Sequence, residues 1–323
     1  MAEAVAPDGA AISLRGVRKS FGEIAAVRGI DLTVPRGTTY GLLGPNGAGK
    51  TITIRMLLGI LEPDAGEVRL LGGARTQATL DRVGYLPEER GFYRRMTVRR
   101  ALSFFAEIKG VAPRVSAPRI TSWLERFGLA DRGESKVQEL SKGNQQKLQL
   151  IGTLLHEPEL VVLDEPFAGL DPLNQQVFKD VMAELRAQGR TILFSTHMIG
   201  QAERSCDHVC IIAAGEKVVD GRVSDIKREH GRLNVAVELE EPSATAAALV
   251  RGSAEVRELR EDGAALEVVL APGADAQALL AALVGAGVRL RRFERVEPSL
   301  EQIFLERVRQ TAPAQRREEV VHA

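Results

Sequence analysis

The chain has 323 residues, 44% apolar and 27% charged, with 43 Lys plus Arg against 43 Asp plus Glu. This composition excludes a disordered protein, and the zero formal charge excludes a global field that would draw the chain to nucleic acid or membrane. The length fits about two domains.

In chain order, residues 1–10 (MAEAVAPDGA) lack a basic region and an apolar run, so they read as a loose tail and not as a secretory signal. Short β-branched or Leu-rich runs bounded by turns follow: AISLRGV, IDLTV and TYGLLG, then LVVLDEP, TILFSTH and VCIIAAGE. The last four are apolar enough to be buried strands of a mixed or parallel sheet. Helical patterns intervene at 50–59, 98–109, 116–127, 143–156 and 173–188, which predicts an α/β core. Cys206 and Cys210, with His208 between them, are too few for a disulfide framework or a four-ligand zinc site and read as small buried thiols. After Gly231 the pattern changes to strand, helix, strand, strand, helix, strand, the split βαβ order of a small α+β ferredoxin-like domain over 232–308. Its apolar stretch Ala278–Val288 falls well short of the roughly 20 residues that span a bilayer, so no membrane crossing is expected. A helix over SLEQIFLERVRQ is predicted to close the domain with Ser299 as its N-cap, and 309–323 reads as a second tail.

The strongest chemical signal is GPNGAGKT, between the apolar strand TTYGLL and a helical run. Gly44, Pro45, Asn46, Gly47, Ala48, Gly49, Lys50, Thr51 and Ile52 form the candidate phosphate cradle. The glycines let successive backbone N–H groups point at phosphate oxygens, Lys50 reaches the β- and γ-phosphates, and Thr51 offers its hydroxyl to magnesium. The strand LVVLDEP ends in two carboxylates: Asp164, placed to hold Mg²⁺, and Glu165, the candidate to orient and polarise an attacking water.

LSKGNQQ adds the family. With GPNGAGKT, LVVLDEP, AGLD and STH in that order, and with the proper interval from Ser141 to Asp164, residues 11–231 resemble the nucleotide-binding domain of ABC ATPases, a P-loop NTPase fold with a helical subdomain over about 89–160. The resemblance implies ATP and Mg²⁺ as ligands. It implies that Ser141, Lys142, Gly143 and Asn144 face the γ-phosphate held by a second subunit, so that two nucleotides are sandwiched in a dimer. It also implies that Phe21 stacks on adenine, that Asp171 communicates across the dimer, and that His197 is the switch histidine contacting the γ-phosphate.

Two positions depart from the usual pattern. Glu88 stands where most members carry Gln; it can ligate Mg²⁺ or hold a water, while adding negative charge near the phosphates. Lys142 replaces a glycine and either pairs with phosphate across the interface or is solvated. PEERGFY, LSKGNQQK and the closing EPSLEQIF together resemble the ATPase subunits of bacterial two-component exporters of the sodium-exporter and drug-exporter type. That resemblance implies a cytoplasmic ATPase, peripheral on the inner face of the cell membrane, powering export through a separate polytopic permease. Complete motifs in one chain favour a homodimer, with pairing to a related ABC subunit as the alternative. The stretch FYRRMTVRR suits permease contact through Phe92 and Tyr93, whereas its arginines read as a solvated face. The alternative is a soluble ABC ATPase acting on a non-transport partner. The interval from Glu88 to Ser141 is too short for the coiled coil of the DNA-repair type, there is one P-loop rather than the two of translation-type members, and no nucleic-acid partner is expected.

Overall fold

β1 (Ala10–Phe21), buried through its first five residues, pairs with β2 (Ile24–Pro35), whose second half alternates buried and exposed, in an antiparallel hairpin whose two-residue turn begins at Gly22, φ 58°. In the computed structural model, which describes residues 9–89, 91–230, 234–271 and 273–311, this hairpin starts a layer distinct from the sheet that follows. Both strands run further than the apolar runs suggested, because the register shifts of β1 extend the pairing to Phe21 and Ile24. The fully buried β3 (Thr39–Leu43) then enters the main sheet and is followed by α1 (Lys50–Leu57). Next, β4 (Ala65–Leu70) and β5 (Gly73–Ala74) return to the first layer, giving a four-stranded sheet of order β2-β1-β4-β5.

After α2 (Gln77–Leu80) and β6 (Val83–Leu86) come three helices, α3 (Val98–Ile108), α4 (Pro113–Arg126) and α5 (Lys142–Leu154). The helix expected from residue 116 begins earlier, at Pro113, because proline fits the first turn, where its missing N–H has no helical partner. The chain continues through β7 (Leu160–Asp164), α6 (Pro172–Ala187), β8 (Thr191–Thr196), α7 (Ile199–Ser205), β9 (His208–Ala213) and β10 (Glu216–Arg222). The main sheet has the order β10-β9-β3-β8-β7-β6, and the pairs β9–β3, β3–β8, β8–β7 and β7–β6 are parallel. Every residue of β3, β7 and β8 is buried, as expected for parallel strands covered on both faces. Each fully buried Val, Leu or Ile in such a strand contributes about 1.5–3 kcal/mol of transfer free energy. Cys210 lies in the core between the two layers, and burial pushes both thiols up from their ordinary pKa.

Two compact units part between Gly221 and Arg222, and α8 (Val223–His230) groups with the second. That unit contains β11 (Asn234–Leu239), α9 (Ala244–Gly252), β12 (Val256–Asp262), β13 (Ala265–Leu270), α10 (Ala276–Gly285) and β14 (Leu290–Arg295). Its antiparallel sheet runs β12-β13-β11-β14, the interleaved order that a split βαβ unit generates. One side of the sheet packs against α9 and α10 around Val235, Val237, Leu266, Val268, Val250 and Leu279. Ser299 caps α11 (Leu300–Thr311): its hydroxyl accepts from Gln302 N at 3.2 Å, and Gln302 Oε1 accepts from Ser299 N at 2.9 Å. The sequence-derived tails lie largely outside the described residues.

Candidate functional site

Parallel strands bring their carboxyl ends to one edge of a sheet, and at this edge the chain concentrates its chemistry. Leu43 pairs with Thr196, Asp164 with Ser195 and Leu86 with Leu163. The loops leaving β3, β6, β7 and β8 therefore carry Gly44–Lys50, Glu88, Glu165 and His197 to the same place. These loops line a cavity of about 360 Å³ whose walls include Asn46, Gly47, Lys50, Thr51, Glu88, Glu165 and His197.

The glycines of the first loop are demanded by its path. Gly44 has φ 148°, and a Cβ there would lie 2.1 Å from the Ile212 carbonyl oxygen; Gly49 has φ 105°, and its Cβ would lie 2.7 Å from Ala26 O. Gly49 is also the N-cap of α1 and supplies no capping side chain, so the first amides of that helix have no side-chain cap. Lys50 is buried, donates to Gly44 O at 2.7 Å and Pro45 O at 3.0 Å, and sits 3.7 Å from Glu165 Oε1. Burial lowers the pKa of its ammonium, opposed by Glu165, Asp164 and Glu88.

Asp164 closes the buried strand β7. Its Oδ1 accepts from Ser195 Oγ at 2.5 Å and from Thr51 Oγ1 at 3.3 Å, while its Oδ2 is buried without a hydrogen-bond partner among the described residues. Burial raises the Asp164 carboxyl above the ordinary carboxylate range, the Ser195 and Thr51 hydrogen bonds oppose this, and Glu165 adds to it. A buried carboxylate oxygen with no donor, beside a threonine hydroxyl, is a donor set that suits a hard divalent cation such as Mg²⁺. Glu165 adopts φ 47°, a left-handed conformation that costs a non-glycine residue about 1–3 kcal/mol. Two contacts fix it there: its backbone N donates to Ser195 Oγ at 3.1 Å, and its Oε1 lies 3.1 Å from His197 Nδ1. Ser195 is thus the hub that sequence reading missed. The available signal was a small polar residue at the end of the otherwise apolar strand TILFST.

The remaining candidates are not in this cavity's wall. Phe21 ends β1, is 49% exposed, and has the Lys19 ammonium 5.8 Å from its ring centroid. Ser141 caps α5, accepting from Asn144 N at 3.3 Å, with Lys142 exposed in the first turn. Asp171 caps α6, accepting from Asn174 N at 2.9 Å, and these hydrogen bonds lower its carboxyl pKa. A Cβ on Gly143 would meet Leu170 and Asn174 at ordinary contact distances of 3.7 and 3.8 Å, so the Ser141 turn lies against the Asp171 turn.

In the aromatic stretch, Phe92 packs edge-on to Phe105 and Tyr93 to Phe104. Arg99 is not solely a solvated charge: it hydrogen-bonds Thr121 and sits 3.6 Å from Glu134. A larger cavity, about 450 Å³, opens between α4 and α6, but its Arg119 and Arg126 are ion-paired with Glu157 and Glu184. The smaller cavity, in contrast, brings the Lys50 ammonium, the Thr51 hydroxyl, the Glu88 and Glu165 carboxylates and the His197 ring together in its wall.

Comparison with known proteins accords with this geometry. The sequence profile of the ABC transporter family matches residues 27–168, and that of the ATP-binding protein DrrA1-3-like C-terminal domain matches 221–308. The chain is 40% identical to an uncharacterized ABC transporter ATP-binding protein, YhaQ, of Bacillus subtilis, over 92% of this chain and 98% of that one. It is 37% identical to the Nod factor export ATP-binding protein I of Rhizobium sp. strain N33, over 91% and 96%. Among solved structures, an ATP-binding subunit of an ABC transporter superposes with a TM-score of 0.64 at 31% identity, covering 68% of this chain and 93% of that one. CbiO1 of Clostridium perfringens, part of the ABC transporter complex cbiONQ, shares the fold at a TM-score of 0.60 and 23% identity, over 69% of this chain and 92% of that one.

Proposed function

The chain belongs to the family of ABC transporter ATP-binding proteins, and from that membership we propose that it hydrolyses ATP to power export through a separate membrane permease. The observation that carries the reading is the meeting of the Gly44–Thr51 loop with Asp164, Glu165 and His197 at one sheet edge.

The backbone amides of the Gly44–Thr51 loop and the start of α1 cradle the phosphates, and Lys50 turns from the Gly44 and Pro45 carbonyls to the β- and γ-phosphates. Thr51, Asp164 and Glu88 hold Mg²⁺, which when bound offsets phosphate charge. Glu165 orients a water for attack on the γ-phosphorus. The new bond joins water oxygen to phosphorus, a proton of that water passes to the Glu165 carboxylate, the bond to the β,γ-bridging oxygen breaks, and ADP leaves with that oxygen. His197, in contact with the Glu165 carboxylate, holds it in place and reaches the γ-phosphate. Phe21 stacks on the adenine.

Ser141, Lys142, Gly143, Asn144 and Asp171 serve the nucleotide held by a second copy, so that ATP binding closes a homodimer and hydrolysis reopens it. Tyr93 and the phenylalanines beside it form the surface for the permease, at the cytoplasmic side of a bacterial membrane. No helix among the described residues is long and apolar enough to cross one. Residues 232–308 form an accessory domain that contributes to dimerisation or permease control. The export direction is supported by the likeness to a Nod factor export ATP-binding protein.

The test is ATP turnover by the purified chain, wild type against Glu165→Gln, with and without permease-containing liposomes. Permease-stimulated turnover abolished by the substitution is expected. Turnover indifferent to any permease would point instead to a soluble ABC ATPase.

A further inference from the structure

Helix α5 begins at the Ser141 turn and packs against β6, and one of its faces is polar where a core helix would be apolar. Gln146, Gln149 and Thr153 recur at the spacing that places them on one side of a helix, and they are only 2%, 6% and 7% exposed. Burying three polar side chains is unfavourable unless each is hydrogen-bonded. The two glutamines each grip a backbone carbonyl on another segment: Gln146 Nε2 donates to Pro166 O at 3.3 Å and Gln149 Nε2 to Glu89 O at 3.0 Å, while the single Thr153 hydroxyl proton has Gln149 O of its own helix at 2.9 Å and Tyr85 O at 3.1 Å as alternative acceptors.

The targets are not arbitrary. Pro166 follows Glu165 directly, Glu89 follows Glu88 directly, and Tyr85 lies in β6, the strand that leads to Glu88. A carbonyl is coplanar with the peptide that follows it, so only the φ and ψ of Pro166, whose φ its ring locks, and of Glu89 separate each held oxygen from the backbone of the preceding carboxylate residue, and holding the oxygen narrows the positions that backbone can take. Glu165 needs such support, because its left-handed backbone persists only where surrounding contacts over-determine it. The Gln149 carboxamide oxygen is buried with no partner among the described residues, a desolvation cost set against the hydrogen bond that its Nε2 makes to Glu89 O.

We infer that Gln149 and Gln146 are positioning residues, which hold Glu88 and Glu165 respectively at the cavity and tie both to the helix that carries Ser141. The inference rests on the proposed roles of those two carboxylates. A shift of α5 would then move the metal-side and water-side carboxylates together.

The experiment uses the full chain with Gln149→Leu, Gln146→Leu, Glu88→Ala and the double variant Gln149→Leu/Glu88→Ala. Turnover is measured against ATP and against Mg²⁺, and the Mg²⁺ dependence of binding is read separately with a fluorescent ATP analogue. Misplacing a catalytic group by about 1 Å costs up to about a hundredfold. Gln146→Leu is therefore expected to lower kcat at least about tenfold with Mg²⁺ half-saturation unchanged, whereas Gln149→Leu raises the Mg²⁺ half-saturation severalfold in both assays. In the Glu88→Ala background, Gln149→Leu should change the Mg²⁺ dependence no further. A loss of both quantities in step in both single variants, or a second full shift in the double variant, would overturn the inference in favour of a general packing role. If the wild-type chain turns over no ATP, the proposed function fails, and backbone hydrogen exchange then decides this inference. Faster exchange at 85–89 in Gln149→Leu and at 164–167 in Gln146→Leu supports it; acceleration confined to α5 overturns it.

Discussion

Two helix N-termini of the same unit, those of α1 and α5, look alike as anion sites and are built in opposite ways. The start of α1 is crowded by its own chain: Gly44 and Gly49 admit no Cβ, and Lys50, Asp164 and Glu165 are buried around it. The start of α5 is open. Ser141 caps it, Lys142 is exposed, and Gly143 would accept a Cβ without a clash. The first terminus thus has its glycines demanded by the fold of this chain. The second has a glycine its own fold does not require, which is what a surface that receives a partner's ligand would look like.

The contrast can be tested from its strongest side downward. Glu165→Gln should lower turnover by about 10²–10⁴, the usual loss for a general base, while nucleotide affinity measured by calorimetry stays close to wild type. A variant with nearly full turnover would assign the water-orienting role elsewhere. Gly44→Ala should destabilise the unit by about 3 kcal/mol or more in urea unfolding, because both its positive φ and the Ile212 carbonyl forbid the methyl group. Gly143→Ala should instead leave stability unchanged or raise it by up to about 1 kcal/mol, the helix-propensity gain of alanine over glycine. Its turnover should nonetheless fall about tenfold, and unchanged turnover would break the comparison, since the open terminus would then serve nothing.

Two smaller effects separate the termini by charge. Burial raises the Asp164 pKa, so in the window just above the ordinary carboxylate value the folded state binds more protons than the unfolded one, and stability falls as pH rises. Asp164→Asn should therefore raise stability at neutral pH, by about 0.5–2 kcal/mol, while abolishing Mg²⁺-dependent turnover. An unaltered urea midpoint would show that the buried charge is already compensated. Asp171, beside the open terminus, titrates the other way. Its pKa is held down by hydrogen bonds from Asn174, so its small stabilisation is present above the unfolded-state pKa and is lost as pH falls through the folded one. In Asp171→Asn the acid limb of the Tm–pH curve should be slightly flatter, with a small loss of Tm at neutral pH that vanishes as pH falls through the folded-state pKa.

Much of the first terminus was legible in the chain because its chemistry is contiguous. GPNGAGKT needs its glycines and lysine within one turn, and LVVLDEP places Asp164 and Glu165 at the end of one strand. Helix limits shifted where proline rules apply, as at Pro113, and strands lengthened where pairing outlasts apolar sequence, as from Val17 to Phe21. Ser195 escaped because a serine in a strand has no periodic signature. Its importance comes from Asp164 and Glu165 standing on the neighbouring strand. Gln146 and Gln149 escaped for the same reason, reading as the polar residues of an ordinary helix.

What the sequence by itself determined is the order of local patterns: which segment forms the glycine-bearing loop before α1, which strand ends in carboxylates, and which alternation makes the second unit a split βαβ domain. Those are short-range facts, set by backbone freedom at glycine and by hydrophobic period. Only the tertiary structure decided that β6, β7, β8 and β3 end side by side, that Asp164 has a buried oxygen with no partner among the described residues, and that Gln146 and Gln149 of α5 hydrogen-bond the carbonyls of Pro166 and Glu89. Those are facts of register and burial: a hydrogen bond between residues distant in sequence has no local cause and arises only when packing brings its partners together.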